Sequence, residues 1–267
     1  MPGRSGGNRP QAIHPRSAGG CRSRTAPARR RRARAVSGLY EVTGRGYAAG
    51  RRTGPRIAAR IWAALSRACA VVNVGAGTGS YEPPGRQVAE AEPSAAMRAQ
   101  RPPGAAACLA AVSGRLPFAD QCFDAAMSVL SDQHRADPLA GLAEMARVAR
   151  RVVVLQFDTS DPGRFWLTRD HLPGFAQLTK GVPTLTERAA AIGARLQVVP
   201  VPGDCADGFF RAYWRRPHAD MQPEVRHATS AWARVGPAAE RRAIGELRDD
   251  LPTGRRGTLQ RWHHRVR

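Results

Sequence analysis

The residues best suited to chemistry are a glycine loop and an acid that follows it. Residues 71–79 read VVNVGAGTG, an apolar run that ends in glycines at alternate positions. Glycine has no Cβ, so the backbone can turn sharply there and a ligand can lie against it. Seventeen positions after Gly75, Glu92 follows a second apolar run, Gln87–Ala91. A carboxylate at a strand end in a doubly wound sheet can accept hydrogen bonds from ribose hydroxyls, so the pair predicts a nucleoside-containing ligand.

The segment after the glycines distinguishes two kinds of nucleoside ligand. Dinucleotides need Gly-x-Gly-x-x-Gly spacing and a full helix, whose N-terminus binds the pyrophosphate. Here the glycines are Gly75, Gly77 and Gly79, and the following Ser80–Gly85 contains two prolines, which limit any helix to about one turn. A nucleoside without phosphates fits better, and S-adenosylmethionine is the common one. A nicotinamide-dependent oxidoreductase is the less favoured alternative.

Four motifs in order resemble the class I S-adenosylmethionine-dependent methyltransferases, specifically the small type 11 kind of bacteria with GC-rich genomes. They are VVNVGAGTGSYEP, EPSAAM, LPFADQCFDAA and GLAEMARVARRVVVLQFD, beginning at positions 71, 92, 116 and 141. The segment VPVPGDCADGFFRAYWRRP at 199–217 also looks like its equivalent in such proteins, and the resemblance covers residues 40–250. It implies an α/β fold with a doubly wound, mostly parallel, Rossmann-like sheet.

The resemblance also implies which residues contact the cofactor. In that family, residues before the turn at Leu116 contact the adenine, and residues at the end of the next strand contact the methionine part. An acid usually accepts the adenine amino group near Ser113 or Gly114, and the sequence has none there, so we expect weaker or altered adenine recognition. The predicted cofactor-binding set is Asn73, Gly75, Ala76, Gly77, Glu92, Pro93, Ser113, Gly114, Leu116, Ser128, Val129 and Leu130.

His134 is the best-placed candidate for a catalytic base or a substrate contact. Methyl transfer mainly requires alignment of the reacting atoms and exclusion of water, and sometimes removal of a proton. His134 lies just beyond the fourth predicted strand, and an ordinary histidine pKa suits proton transfer near pH 7. A histidine that only packs near the site is the commoner case when no orienting carboxylate is visible. Relatives often carry an aromatic residue at the position of Arg135 and a histidine at Gln133.

Composition favours a soluble protein of a reducing compartment. Of the 267 residues 42% are hydrophobic, yet no run approaches the roughly 18 apolar residues of a membrane span. No secretory signal is recognisable, and we therefore expect a cytoplasmic protein. Asp204 and Cys205 have no histidine or second cysteine at metal-binding spacing, so no metal site is predicted. The cysteines, which show no Cys-x-x-Cys spacing, are Cys21, Cys69, Cys108, Cys122 and Cys205.

The formal net charge of +21 is concentrated at the two ends of the chain. Residues 1–39 contain ten arginines and no acid, and residues 241–267 contain eight arginines against three acids. Lys180 is the only lysine, which fits GC-rich coding better than a functional requirement. Nucleic acid could bind such tails nonspecifically, but a disordered N-terminal tail is favoured, with an organelle transit peptide ranked lower.

Patterning predicts the elements that position these residues. Pro55 can begin a helix in which Ile57, Ile61, Leu65 and Ala68 share one face. Asp137 followed by Pro138 predicts a second helix start, with the strand Val152–Phe157 after it, which is the rhythm of a parallel sheet. On the buried face of this second helix we expect Leu139, Leu142, Met145 and Ala149. A third group, predicted to pack in the core rather than to line a pocket, is Phe209, Phe210, Tyr213 and Trp214.

The predicted organisation is a tail, a methyltransferase domain and a second tail, over residues 1–39, 40–250 and 251–267. Within the domain, the cofactor half spans about 54–158 and the cover about 159–250. Residues 254–267 show no alternating apolar run, so we expect the sheet to lack its last strand and the strand Leu196–Val201 to lack a partner. The predicted activity is methyl transfer from S-adenosylmethionine to an unidentified small molecule. A degenerate, non-catalytic member of the fold is an alternative.

Overall fold

The computed structural model describes residues 40–41, 44 and 46–253, an arrangement of short helices around one parallel sheet. The predicted tail 1–39 lies outside these residues, as do positions 254–267 of the predicted second tail. The strands are β1 Ala70–Val74, β2 Gln87–Ala91, β3 Cys108–Leu109, β4 Ala125–Val129 and β5 Val152–Leu155. The helices are α1 Tyr47–Gly50, α2 Pro55–Ala64, α3 Ala95–Arg98, α4 Pro138–Val148, α5 Phe175–Thr179, α6 Leu185–Ala191, α7 Pro223–His227, α8 Ser230–Val235 and α9 Pro237–Thr253.

The sheet has the order β3-β2-β1-β4-β5, and every recorded strand pair is parallel. The register places Val72 of β1 between Ala89 of β2 and Ala126 of β4. The chain leaves β1 in one direction toward β2 and β3, and later in the other toward β4 and β5. The order therefore reverses between β1 and β4, and ligands of open α/β sheets bind at the carboxyl ends of the strands beside such a reversal.

Helices cover both faces of the sheet because its central strands are apolar on both sides. On one face Val71 packs with Ile57, Ile61 and Leu65 from α2 and the residue that ends it. On the other, Val72 and Val74 pack against three residues of α4. These α4 residues are Leu142, Met145 and Val148. The predicted doubly wound α/β class is confirmed.

A third apolar cluster forms a cover over the carboxyl end of the sheet. It joins Phe165, Trp166 and Leu167 to Phe210 and to Trp232 of α8. Its partners in α9 are Ala243, Ile244 and Leu247. This cluster is separate from the two that pack against the strands, so the segment after β5 has a core of its own. No helix in the described part of the chain is long and apolar enough to cross a bilayer.

Several predicted element boundaries are confirmed. Strand β2 spans the predicted run, and α2 begins at Pro55. The side chain of Asp137 accepts a hydrogen bond from the Ala140 amide and caps the start of α4. Residues 78–85 form turns rather than a helix, as the two prolines predicted.

Other predictions about the elements are wrong. Leu139 is 38% exposed, because the buried face of α4 is formed instead by Pro138, Gly141, Leu142, Met145 and Val148. The predicted strand Leu196–Val201 has no regular secondary structure, and within the described residues no strand follows β5. Leu196 and Val198 are 59% and 77% exposed, so their hydrophobic side chains do not complete the sheet.

Candidate functional site

The glycine loop leaves β1 in a conformation that favours glycine. Gly75 and Gly77 have φ values of 75° and 58°, a left-handed region that strains residues with side chains. A Cβ on Gly75 would lie 2.4 Å from the Ser131 hydroxyl oxygen, so the loop also approaches the end of β4 too closely for a side chain. The Gly75 amide donates to the Ala91 carbonyl at 2.8 Å, which holds the loop against the end of β2.

Glu92 fixes the other side of this loop. Its two carboxylate oxygens accept hydrogen bonds from the amides of Gly77 and Ser94, each at 2.9 Å. The side chain is buried, and this desolvation raises the carboxyl pKa, while the two amides act in the opposite direction. Each carboxylate oxygen can accept a second hydrogen bond, so ribose hydroxyls fit this acid. Pro93 follows it and leads into Ser94, which caps α3.

The recorded side-chain hydrogen bond of Asn73 is to Glu90 of β2. Its amide nitrogen donates to a Glu90 carboxylate oxygen at 3.1 Å, and both side chains are buried. Arg101 forms an ion pair with the same carboxylate. Burial and the nearby Glu82 carboxylate raise the pKa of Glu90. This hydrogen bond links β1 to β2, and a direct contact of Asn73 with the cofactor stays a prediction.

The predicted adenine-contacting residues follow β3 at the same edge of the sheet. Gly114 is exposed and Ser113 is half-buried. The Leu116 side chain is buried in the core, and its amide donates to a Glu144 carboxylate oxygen at 2.9 Å. Glu144 is held in turn by Arg147 at 2.7 Å. Leu116 therefore anchors the turn to α4, and Ser113 and Gly114 are left as the more accessible part of the loop.

The end of β4 is occupied by an internal polar network. The Ser128 hydroxyl lies 2.8 Å from the Ser131 hydroxyl and accepts a hydrogen bond from Arg135 at 2.7 Å. Arg135 also pairs with the fully buried Asp132 at 3.2 Å, and Arg188 of α6 pairs with the same carboxylate. Arg135 thus stabilises the segment that follows β4. In the sequence, Arg135 was notable only because relatives often carry an aromatic residue at this position.

His134 lies in the turn Asp132–His134, against the N-terminal segment and α8. Its Nε2 atom is 2.9 Å from the Tyr40 hydroxyl oxygen and 3.1 Å from the Ser230 hydroxyl oxygen. Surrounding protein desolvates the ring, and the positive charges of Arg234 and Arg51 add to this effect. Together they lower the pKa of His134 to about 3. The imidazole is therefore neutral at pH 7 and a weak base.

A partly enclosed cavity of about 70 Å³ lies over the carboxyl ends of β4 and β5. This volume holds only a few water molecules, so a ligand must be compact or must extend through the mouth of the cavity. Leu130, which directly follows β4 and has a φ of 51°, is part of its wall. The wall also contains His134, Tyr40, Tyr47, Arg51, Arg188, Arg234, Ser230, Gln133, Gln156 and several phenylalanines.

Sequence reasoning missed a buried charge pair beside this cavity. Arg51 donates to both carboxylate oxygens of Asp207, at 2.6 and 3.2 Å, and the Tyr81 hydroxyl donates to Asp207 at 2.9 Å. Nothing in the spacing of Arg51 and Asp207, 156 positions apart, predicts that they meet. Phe209 and Phe210 are buried as predicted, and they also line the cavity.

Within the described residues, no group of three or more His, Cys, Asp or Glu side chains is arranged to hold a metal ion. Asp204 instead pairs with Arg56 at the surface. Cys205 is buried in the first apolar cluster.

Comparison with known proteins supports the features described above. Residues 72–155 match the family described as methyltransferase domain. The structure is similar to a protein of Anabaena variabilis described as a methyltransferase of an antibiotic biosynthesis pathway. That similarity has a TM-score of 0.72 and 26% identity, and it covers 81% of this chain and 94% of the other. No functionally curated protein matches the chain.

Two further solved structures share less of the fold. The YcgJ protein of Bacillus subtilis has a TM-score of 0.47 and 15% identity, covering 75% of this chain and 86% of its own. An S-adenosylmethionine-dependent methyltransferase of Thermotoga maritima has a TM-score of 0.45 and 19% identity, covering 59% of this chain and 79% of its own.

The fold and the glycine loop define a Rossmann-like class I domain. Residues 72–155 match the methyltransferase domain family, the family that the motifs predicted. The cofactor predicted from the sequence, S-adenosylmethionine, is confirmed by this match. Gly75, Gly77 and Glu92 fit such a cofactor, because they combine a close backbone approach with an acid for the ribose.

Proposed function

We propose that the protein transfers a methyl group from S-adenosylmethionine to a small molecule that binds in the cavity over β4 and β5. The observation that supports this most directly is the adjacency of the two places. Gly75 lies so close to Ser131, just after β4, that a Cβ would clash with it, and Leu130, the residue directly after β4, is part of the cavity wall. A ligand on the glycine loop and a ligand in the cavity would therefore meet at the end of this strand.

The residues around the glycine loop and the cavity would have separate roles in binding the cofactor. Glu92 would accept hydrogen bonds from the ribose, and the Gly75–Gly77 backbone would let the cofactor lie close to β1. The guanidinium of Arg51 would provide positive charge for the carboxylate of the cofactor's methionine part. Tyr40 and Tyr47 experience the charges of both Glu92 and Arg51, so the tyrosines connect the acid to the cavity.

The cofactor supplies an activated methyl group, so that the acceptor's electron pair forms the new bond while the carbon–sulfur pair stays on sulfur. The protein then has to align the acceptor and exclude water. With a pKa of about 3, His134 is poorly suited to remove a proton from the acceptor. We propose that it positions the acceptor or Tyr40 through hydrogen bonds, and that a proton released by the acceptor passes to solvent.

We also propose that the protein acts in the cytoplasm. The cysteines of the described residues, Cys69, Cys108, Cys122 and Cys205, are unpaired thiols, which suits a reducing compartment. A small-molecule acceptor is favoured over nucleic acid, because the cavity is narrow.

Calorimetry of the full chain with S-adenosylmethionine and S-adenosylhomocysteine tests this function, with NAD as a control ligand. We expect micromolar binding of both sulfur compounds and none of NAD. Glu92→Ala should raise the dissociation constant at least tenfold, because charged hydrogen bonds are worth about 1.5–3 kcal/mol each. Glu224→Gln, at an exposed acid of α7, should leave affinity unchanged.

The Glu92 variant also loses partners for two backbone amides, so its folding must be checked by thermal unfolding. Failure of the folded wild-type protein to bind either sulfur compound would support the degenerate, non-catalytic alternative. Binding with normal affinity by a folded Glu92→Ala protein would remove Glu92 from the site.

A further inference from the structure

We propose that Gln133 fixes the proton of His134 on the Nδ1 atom, and that this Nδ1–H donates a hydrogen bond to a carbonyl oxygen of the methyl acceptor. The inference rests on the proposed function and adds a chemical feature of the acceptor, a carbonyl group beside the atom that is methylated. It follows from the hydrogen bonds around the imidazole ring, because the partners of each group determine which atom donates and which accepts.

A chain of two side-chain amides leads from the end of β5 to His134. The Phe157 amide donates to the Oε1 atom of Gln156 at 2.9 Å, so the other end of the Gln156 amide is its nitrogen. That nitrogen donates to the Oε1 atom of Gln133 at 2.6 Å. The orientation of the first amide therefore determines that of the second, and the nitrogen of Gln133 is the atom that faces His134.

A second contact fixes the Gln133 amide independently. Its Nε2 atom lies 2.7 Å from the Leu130 carbonyl oxygen, which can only accept a hydrogen bond. The same nitrogen lies 3.0 Å from the Nε2 atom of His134. An amide nitrogen has two protons and donates without accepting, so one proton goes to Leu130 and the other to His134. The Nε2 atom of His134 is therefore an acceptor.

This acceptor role decides which ring nitrogen of His134 carries the proton. A neutral imidazole whose Nε2 accepts has its proton on Nδ1. The neutral state agrees with the burial of the ring, which lowers the pKa of His134 to about 3. The hydroxyls of Tyr40 and Ser230 also lie near Nε2, at 2.9 and 3.1 Å, but a hydroxyl can donate or accept and so is compatible with either tautomer.

The Nδ1 atom of His134 is the ring nitrogen that remains for a ligand. Within the part of the chain that the structure describes, no group accepts a hydrogen bond from it, and it is not one of the fully buried polar atoms that lack a partner. Nδ1 therefore keeps accessible surface, and His134 is part of the cavity wall. A molecule that fills the cavity has to accept from this N–H or leave a polar group unpaired.

The chemistry of methyl transfer favours an oxygen beside the attacking atom as the partner of Nδ1–H. A hydrogen bond to the attacking atom itself would hold the electron pair that forms the new bond. A neighbouring carbonyl oxygen leaves that pair free and still orients the acceptor toward the cofactor.

The rest of the cavity wall suits an apolar body for the same molecule. Phe175 and Phe210, which both line the cavity, stack with ring centroids 5.1 Å apart and an interplanar angle of 15°. Aromatic faces prefer flat apolar partners, so a small ring that carries a carbonyl group fits this wall and the His134 donor together.

The test combines NMR of the histidine nitrogens with the binding of two probes, in the full chain saturated with S-adenosylhomocysteine at about pH 8. Long-range proton–nitrogen correlation spectra distinguish a ring nitrogen that carries a proton from one that does not. The signals of His134, one of seven histidines, are identified by their loss in His134→Gln. The probes are acetophenone and ethylbenzene, two neutral molecules of similar shape, of which only acetophenone has a carbonyl oxygen.

The proteins compared are wild type, Gln133→Glu and Gln197→Glu, the last being a change at an exposed glutamine. The carboxylate of the Gln133→Glu variant can only accept, so it should move the proton of His134 to Nε2 and leave Nδ1 without a donor. Because ethylbenzene leaves water more readily than acetophenone, the quantity compared is the ratio of the two dissociation constants in each protein.

In wild type we expect the proton on Nδ1, and acetophenone but not ethylbenzene should shift the Nδ1 signal. Gln133→Glu should show the proton on Nε2 and should weaken acetophenone relative to ethylbenzene about fivefold, the effect of one neutral hydrogen bond. Gln197→Glu should match wild type in both measurements, and all three proteins should bind S-adenosylhomocysteine equally.

Three results would overturn the proposal while leaving methyl transfer intact. They are a wild-type proton on Nε2, a wild-type Nδ1 signal that acetophenone leaves unchanged, and a folded Gln133→Glu protein with the wild-type proton position and probe ratio. The two wild-type measurements are decisive even if Gln133→Glu does not fold. Loss of S-adenosylhomocysteine binding by wild type would contradict the proposed function itself.

Discussion

At the scale of single residues, His134 shows how the surrounding protein changes the acid–base chemistry of a side chain. An ordinary histidine just beyond β4 is a reasonable general base. In the folded protein its ring is desolvated and lies close to two arginines, so its pKa is lowered to about 3. The residue is better understood as a neutral hydrogen-bond partner of Tyr40 and Ser230.

This lowered pKa predicts acid sensitivity of the fold. Below pH 6.5 the histidine is protonated in the unfolded chain but stays neutral in the folded protein. The free energy of unfolding therefore falls as the pH drops from about 6.5 toward 3. Because the cavity admits some solvent, we expect a contribution of only about 1 kcal/mol between pH 7 and pH 5. Urea unfolding of wild type and His134→Gln at both pH values measures it.

The glutamine variant should lose less stability at pH 5 than wild type by that amount. His218→Gln, at an exposed histidine, is the matched control and should behave like wild type. Equal acid losses in wild type and His134→Gln would show that His134 titrates normally.

At the scale of elements, hydrogen bonds join residues 50 and 51, at the end of α1, to residues 207 and 208, which precede Phe209 and Phe210. The Gly208 amide donates to the Gly50 carbonyl at 3.0 Å, and a Cβ on Gly208 would lie 2.2 Å from that oxygen. The neighbouring pair Arg51 and Asp207 adds a buried ionic link, with Tyr81 as a third member. This junction brings the first element of the domain against the cover, and both contribute to the cavity wall.

Breaking the link at one partner should destabilise the protein strongly. Asp207 is fully buried, so Asp207→Asn leaves the Arg51 charge without its counterion, and such losses cost about 3–5 kcal/mol. Denaturant unfolding measures the change. The control is Asp204→Asn, which removes a solvent-exposed pair with Arg56 and should leave the free energy of unfolding close to that of wild type.

Adding Arg51→Met to Asp207→Asn should recover part of the loss, because no unpaired charge then remains buried. An Asp207→Asn protein as stable as Asp204→Asn would mean that the buried pair contributes nothing to the junction.

At the scale of the whole molecule, the sheet ends at β5 within the described residues. One edge of β5 pairs with β4, and no strand of residues 40–253 pairs with the other. The segment 196–201, which the sequence predicted as a strand, leaves Leu196 and Val198 exposed. An unpaired strand edge and exposed apolar side chains lack stabilising contacts, and both favour association with other protein molecules.

We therefore expect a low thermal stability for the full-length chain. Its midpoint by differential scanning calorimetry should lie below the range of about 45–65 °C that is common for mesophilic domains. Repeating the scan at several protein concentrations separates intrinsic stability from association, which would raise the midpoint as concentration increases. A concentration-independent midpoint inside that range would contradict this expectation.

The sequence by itself determined the features that depend on neighbouring residues. The apolar runs of β1 and β2, the cap at Asp137, the helix from Pro55 and the helix-free turn after Gly79 are all local. Ordered motifs extended this to the α/β class, the methyltransferase family and the cofactor. Each of these signals is short in sequence, because backbone preference and strand burial act over a few positions.

Only the tertiary structure decided which distant residues meet and what that does to their chemistry. Arg51 finds Asp207 across 156 positions, and Arg234 approaches His134 from another helix. Pairs of this kind leave no periodicity in the chain, since they form only when the cover folds over the sheet. Burial and pKa depend on which distant residues come into contact in the folded protein. The charge and the lining of the cavity could therefore not be predicted from the sequence.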